Sequence, residues 1–130
     1  TRYADDLTFS TSSKGISSSI EPMLLDVLAR LAYPKIVLNS EKTIHVSKKH
    51  QRRVTGVVLN NEGSISIGRE KKRLISVMIH KFSLGALPTE EVTILQGLLG
   101  FAKDIEPNFV DGMIKKYGLD VVLAIFKTRK

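Results

Sequence analysis

The spacing of apolar residues changes between residues 63 and 69, and that change constrains the fold more than any other feature of the chain. Before it, apolar residues come mostly in short runs separated by turn-forming residues. After it, they recur every three or four positions to the end. A period near two belongs to half-buried strands, and a period near 3.6 to helices with one buried face. The expected fold class is therefore α+β, with a strand-bearing part over residues 1–66 and a helical part over residues 67–130.

Within the first part, Tyr3-Ala4-Asp5-Asp6 reads as the tip of a β-hairpin. Tyr3 and Phe9 are strand formers on either side, and residues 7–11 alternate apolar and polar as a returning strand would. Serine-rich residues 12–19 form a polar linker whose hydroxyls are expected to cap a helix over 20–32. Pro22 suits the first turn of that helix. Ile20, Leu24, Val27, Leu28 and Leu31 give it one apolar face. Tyr33-Pro34 ends it. Strands are expected at 36–38, 44–47 and 54–59, the last broken by Gly56, with an extended piece at 64–67 and turns at 39–43 and 60–63.

In the second part, Ile75, Met78, Ile79 and Phe82 form an apolar stripe on a helix over 69–84. Arg69, Lys72, Arg73, Ser76 and His80 form a cationic stripe on the same helix. Gly85 stands where a C-cap belongs. Pro88-Thr89-Glu90-Glu91 opens a further helix with Leu95, Leu98, Leu99 and Ala102 on its apolar face. Its Gly97 and Gly100 predict close helix packing or a close backbone approach. Another helix from Glu106-Pro107 carries Phe109, Val110, Met113, Ile114 and Tyr117 and ends at Gly118. A short last helix with a basic tail fills 119–130.

Composition narrows the function classes. Cysteine is absent among the 130 residues, which excludes disulfides and thiol chemistry and agrees with a reducing cytoplasm. No apolar run approaches the roughly 18 residues of a membrane span, and Thr-Arg-Tyr does not begin a signal peptide. The start without methionine is expected of a processed or engineered fragment. The net charge of +7 favours a polyanionic partner.

The residues that bear chemistry are few. Two carboxylates on a flat strand point to opposite faces, but at a tight turn Asp5 and Asp6 can approach one divalent ion. Phosphoryl transfer uses two such ions about 3.5–4 Å apart to stabilise the attacking and leaving oxygens. An ordinary acidic hairpin turn would also place aspartates there. The basic run Lys48-Lys49-His50-Gln51-Arg52-Arg53 and the Arg69, Lys72, Arg73 stripe are candidate phosphate contacts, with a solvated charged face as the plainer explanation. His80 extends the stripe as a phosphate or sugar contact. His45, His50 and His80 lack zinc spacing. Phe109 and Tyr117 read as core rather than as stacking platforms.

The tetrapeptide resembles the palm motif of reverse transcriptases, which is tyrosine, a variable residue and two aspartates. Leu38-Asn39-Ser40-Glu41-Lys42-Thr43 resembles the asparagine–lysine–threonine element that follows it in bacterial enzymes. Gln51-Arg52-Arg53-Val54-Thr55-Gly56-Val57-Val58-Leu59-Asn60 resembles the next element, centred on Val-Thr-Gly. Leu95-Gln96-Gly97-Leu98-Leu99-Gly100-Phe101-Ala102 and Glu106-Pro107-Asn108 are similar to the thumb of retron and group II intron enzymes. The order matches from Tyr3 to about Gly118. The short thumb favours the bacterial retron type.

The resemblance implies an RNA-directed DNA polymerase, with residues 1–66 as the C-terminal part of its palm and 67–130 as its thumb. Asp5 would bridge two Mg²⁺ ions and Asp6 would assist. Lys42 would protonate or neutralise the departing pyrophosphate. Tyr3, Ala4, Val54, Thr55 and Gly56 would lie near the primer end and the incoming nucleotide. Lys48, Lys49, Arg52, Arg53, Arg69, Lys72, Arg73 and His80 would contact nucleic acid. The partners implied are an RNA template, an RNA/DNA hybrid, deoxynucleoside triphosphates and a structured noncoding RNA, in the bacterial cytoplasm and in antiphage defence. The fingers and the upstream metal-binding aspartate are missing from these residues, so the chain alone is expected to lack catalysis and to hold no Mg²⁺ of its own. Its open palm edge could pair with another copy. Two rivals remain: a non-catalytic basic nucleic-acid-binding module, and an interaction domain that binds no nucleic acid.

Overall fold

The computed structural model describes residues 1–128. They form two compact units, residues 1–50 and residues 51 onward. The division thus precedes the change in apolar spacing, and the second unit contains both strands and helices.

The first unit holds a small antiparallel hairpin, β1 (Arg2–Tyr3) and β2 (Asp6–Leu7), and one helix, α1 (Ser17–Arg30). The helix starts earlier than the serine-rich stretch suggests. No side chain caps it. Instead, Ser18 and Ser19 donate their hydroxyls back to the carbonyls of Gly15 and Ile16 at 2.7 and 2.8 Å. Pro22 therefore lies inside the helix rather than in its first turn. Ile20, Leu24 and Leu28 are half-buried, while Val27 and Leu31 are exposed. Residues 36–38 and 44–47 form no strands. A β-strand needs a neighbour to take its backbone hydrogen bonds, and no strand is paired with either segment among the described residues.

The second unit opens with a three-stranded antiparallel sheet in the order β3 (Arg52–Val54), β4 (Val57–Leu59), β5 (Ile65–Ser66). The single strand expected over 54–59 is in fact a hairpin. Val54 pairs with Val57 across a two-residue turn in which Thr55 and Gly56 both have positive φ, 47° and 83°. Such a turn matches the twist of the flanking strands, and glycine enters it without steric cost. A second turn at 60–63 is closed by Asn60 N–H donating to the Ser64 carbonyl at 2.9 Å.

Four helices follow: α2 (Arg69–Ser83), α3 (Thr89–Ile105), α4 (Pro107–Tyr117) and α5 (Leu119–Lys127). The end of α2 is fixed by Gly85. Its N–H donates to the Phe82 carbonyl, and the Ala86 N–H donates to that of Lys81, which satisfies two otherwise free helix-end carbonyls. The apolar stripes of the helices converge on one core. Ile75, Ile79, Leu95, Leu99 and Ile125 are its largest fully buried side chains, and Ile67, Met78, Val92, Ala102 and Val110 complete it. Gly97 and Gly100 face open space, so close packing does not require them. The basic tail expected after α5 extends past the described residues at 129–130.

A carboxylate network ties the sheet to the bundle. Glu106, between α3 and α4, accepts hydrogen bonds from the Ser66 hydroxyl at 2.8 Å and the Ile67 N–H at 3.3 Å, and it pairs with Lys72 of α2. Burial pushes the Glu106 pKa up, but the bonds from Lys72, Ser66 and Ile67, together with the lysine charge, outweigh it and hold the carboxyl below its ordinary value.

Candidate metal-ligand hairpin and nucleic-acid face

Asp5 and Asp6 sit together at the tip of the first unit's hairpin. Tyr3 pairs with Asp6, so Ala4 and Asp5 make the turn. Ala4 takes a left-handed φ of 51°, which L side chains seldom adopt. Its carbonyl accepts from Arg2 Nε at 2.8 Å, and below the tip the Thr8 N–H donates to the Thr1 carbonyl, also at 2.8 Å. These bonds hold the loop and leave both carboxylates exposed. Mg²⁺ is commonly held by one or two carboxylates together with substrate phosphates and water. The Asp5–Asp6 pair fits such a partial site. No third acidic residue, histidine or cysteine joins it among the described residues.

Lys42 stands on a turn built by Asn39, whose side-chain oxygen accepts from the N–H groups of Glu41 and Lys42 at 3.1 and 3.3 Å. The Thr43 hydroxyl donates to the Asn39 carbonyl at 2.8 Å. That explains why asparagine and threonine flank the lysine: together they shape the loop that presents it. The Lys42 side chain is exposed, and no bond joins it to Asp5 or Asp6 among the described residues. Lys48 and Lys49 are exposed on the loop that closes the first unit.

In the second unit, the candidate cations separate into tied and free groups. Arg52 straps its own hairpin, donating to the Asn60 carbonyl at 3.0 Å and to the Asn61 side chain at 3.3 Å. Arg53 lies 3.5 Å from the Glu70 carboxylate. Lys72 is neutralised by Glu106 and lies 5.6 Å from the centre of the Phe109 ring. Arg69, Arg73 and His80 are exposed along one face of α2. Of these three, none takes part in an ion pair among the described residues. A single stripe in the sequence thus divides in space: Lys72 turns to Glu106, Ser76 turns to Tyr117, and Arg69, Arg73 and His80 face solvent.

Two features escaped the sequence reading. Lys71 lies off the cationic stripe, yet its ammonium donates to the Gly56 carbonyl at 3.1 Å and rests 4.7 Å over the Phe101 ring of α3. It therefore holds the Thr55–Gly56 turn against the bundle. No periodicity signals such a role. Tyr117 packs against the core from a half-buried position, as expected, but its hydroxyl also bonds both the hydroxyl and the carbonyl of Ser76 at 3.1 Å. The Ser76 bond lowers the phenol's pKa against the opposing effect of burial.

Comparison with known proteins adds to this geometry. No family model matches the chain. It is 41% identical to the retron Ec83 reverse transcriptase of Escherichia coli over 126 residues, covering 97% of this chain and 40% of that protein. It is 32% identical to the retron Ec86 reverse transcriptase of the same organism, covering 91% of this chain and 37% of that protein. The retron Mx65 reverse transcriptase of Myxococcus xanthus is 26% identical over 89% of this chain. The likeness to retron reverse transcriptases carried by the motifs therefore extends over nearly the whole chain, which spans about two fifths of the length of the E. coli relatives.

Proposed function

We propose that the chain is the C-terminal palm and thumb part of a retron-type RNA-directed DNA polymerase, which extends DNA on an RNA template from deoxynucleoside triphosphates. The observation that carries this reading is the exposed Asp5–Asp6 hairpin tip in a chain similar over 97% of its length to a retron reverse transcriptase. Asp5 and Asp6 would supply carboxylates to Mg²⁺, which offers stabilisation of the charge that builds on the reacting oxygens. Lys42 would neutralise the departing pyrophosphate. The Thr55–Gly56 turn, held by Lys71, would support the primer strand. Arg69, Arg73 and His80 would follow phosphates in a sequence-independent, salt-dependent manner. No helix is long and apolar enough to cross a membrane among the described residues.

A second reading is a nucleic-acid-binding module without catalysis of its own, which the exposed cations Arg69, Arg73 and His80 would serve equally. One experiment separates the two. Primer extension on an RNA template is measured with the remaining polymerase segments supplied on a second chain, for the native sequence and for Asp5→Asn. Extension lost in Asp5→Asn, with duplex binding kept, is the expected result. Extension that survives the substitution would sink the polymerase role of the hairpin.

A further inference from the structure

Between α2 and α4 lies a shallow cleft, open to solvent, of about 310 Å³, lined by Ser76, Val77, His80, Lys116 and Tyr117. That volume is at the small end for ligand sites and suits one planar unit rather than an extended molecule. We propose that this cleft binds a single unpaired nucleotide of a nucleic-acid strand, with the base against the Tyr117 ring and the adjoining phosphate on Lys116 and His80.

The chemistry of the lining selects that guest. The Tyr117 ring is anchored through its hydroxyl to both the side chain and the carbonyl of Ser76, so its orientation is set before anything binds. The His80 and Tyr117 rings stand 6.3 Å apart and tilted by 43°, so they do not cover one another as stacked rings would. Lys116 Nζ lies over the Tyr117 ring, 4.9 Å from its centre, so the cation occupies the aromatic face until an incoming base takes its place and the lysine swings to the adjoining phosphate. Val77 is 53% exposed, an apolar wall that a bare phosphate would not require but a base or sugar would cover. None of the lining residues is acidic. Unpaired strands are gripped by this combination of aromatic faces for bases and cations for phosphates.

Location supports the same guest. Arg69, Arg73, Ser76 and His80 recur at i, i+4, i+7 and i+11 along one face of α2, so the exposed cationic row leads into the cleft. A strand that follows the row would reach Tyr117 at its end. The inference rests on the nucleic-acid reading of that row and adds to it a subsite for an unpaired unit, with Lys116 and Tyr117 from α4.

The test uses fluorescence anisotropy with two probes at one salt concentration: an eight-nucleotide uridine RNA and a blunt RNA/DNA hybrid without overhangs. The native chain is compared with Lys116→Gln, an exposed change that keeps the fold, and with Tyr117→Leu, checked for folding by circular dichroism. Tyr117→Leu is expected to weaken the single strand by about 5- to 150-fold, the worth of one stacked base. Lys116→Gln should weaken it several-fold, and the hybrid should be nearly unaffected by either. The proposal is overturned if either folded variant leaves the single strand's affinity unchanged, or weakens both probes equally. Native binding of the hybrid without the single strand also overturns it, leaving the cationic row intact. Native binding of neither probe overturns that row's role as well.

Discussion

The two units differ in what holds their secondary structure in place. In residues 1–50 no side chain is buried, and the 14-residue α1 leaves Met23 67% and Val27 56% exposed. From residue 51 onward, four helices enclose a core in which Ile79, Leu95, Leu99 and Ile125 are completely buried. A lone helix of that length is marginal in water, because helix stability in proteins comes mainly from packing one face. The unit with the paired aspartates thus has the weaker support of its own, and the unit without them is the better-founded one. The exposed aspartate pair and the buried core lie in different units of the chain.

The sharpest way to break this comparison is to empty the core of one unit and the apolar stripe of the other. Leu99→Ala should destabilise the second unit by about 2–5 kcal/mol, the range for a large-to-small change in a packed core. Leu24→Ala in α1 should cost well under that. Urea unfolding followed by circular dichroism measures both, and equal losses would remove the distinction drawn here.

Glu106 offers a smaller and pH-dependent test. Glu106→Gln should cost about 1–3 kcal/mol, because it weakens the pairing with Lys72 and the bonds from Ser66 and Ile67. The folded carboxyl titrates below its ordinary value. Its contribution is therefore present in full above the unfolded-state pKa and is lost as pH falls through the folded one. Melting temperature plotted against pH should drop through that acid window in the native chain and fall less in the variant. Parallel curves would assign the acid loss to other carboxylates.

Lys71→Met sharpens the role of the hairpin turn within the second unit. Removing the bond to the Gly56 carbonyl should cost about 1 kcal/mol and speed hydrogen exchange at Thr55 and Gly56 ahead of α3. Unchanged exchange there would mean that the turn holds itself. Arg30→Ala in α1 should move the unfolding midpoint least. Its pair with Asp26 lies at 2.6 Å, but both side chains are largely exposed, and such pairs contribute little.

Much of the helical half was legible because burial and periodicity agree there. The stripes through Ile75 and Ile79, and through Leu95 and Leu99, have a 3.6-residue repeat, and the structure buries those positions together. Pro107 begins a helix and Gly85 follows the end of one, each through a local backbone preference. The strand-bearing half was read less well. Ile36-Val37-Leu38 is apolar enough for a strand, yet apolar content supplies no pairing partner. Gly56 reads in the sequence as a break within one strand, but the consecutive positive φ values of Thr55 and Gly56 make it a reversal. The aspartate hairpin was legible from two acids between strand formers. The division of the cations was not, since Lys72 and Arg73 look alike until Glu106 arrives from far along the chain.

By itself, the sequence determined the α+β class, the helix stripes and the hairpin at Asp5 and Asp6, because these follow from local spacing and residue type, while the likeness to retron reverse transcriptases rests on matching motifs residue by residue. Only the tertiary structure decided which lysine is neutralised by Glu106, which one holds the Gly56 carbonyl and why Tyr117 borders a cleft beside His80. Those outcomes depend on partners 15 to 41 residues away. Side chains so distant in sequence meet only after packing has set the helices against one another and against the sheet, and charge, burial and hydrogen bonding are then settled by neighbours that no local pattern records.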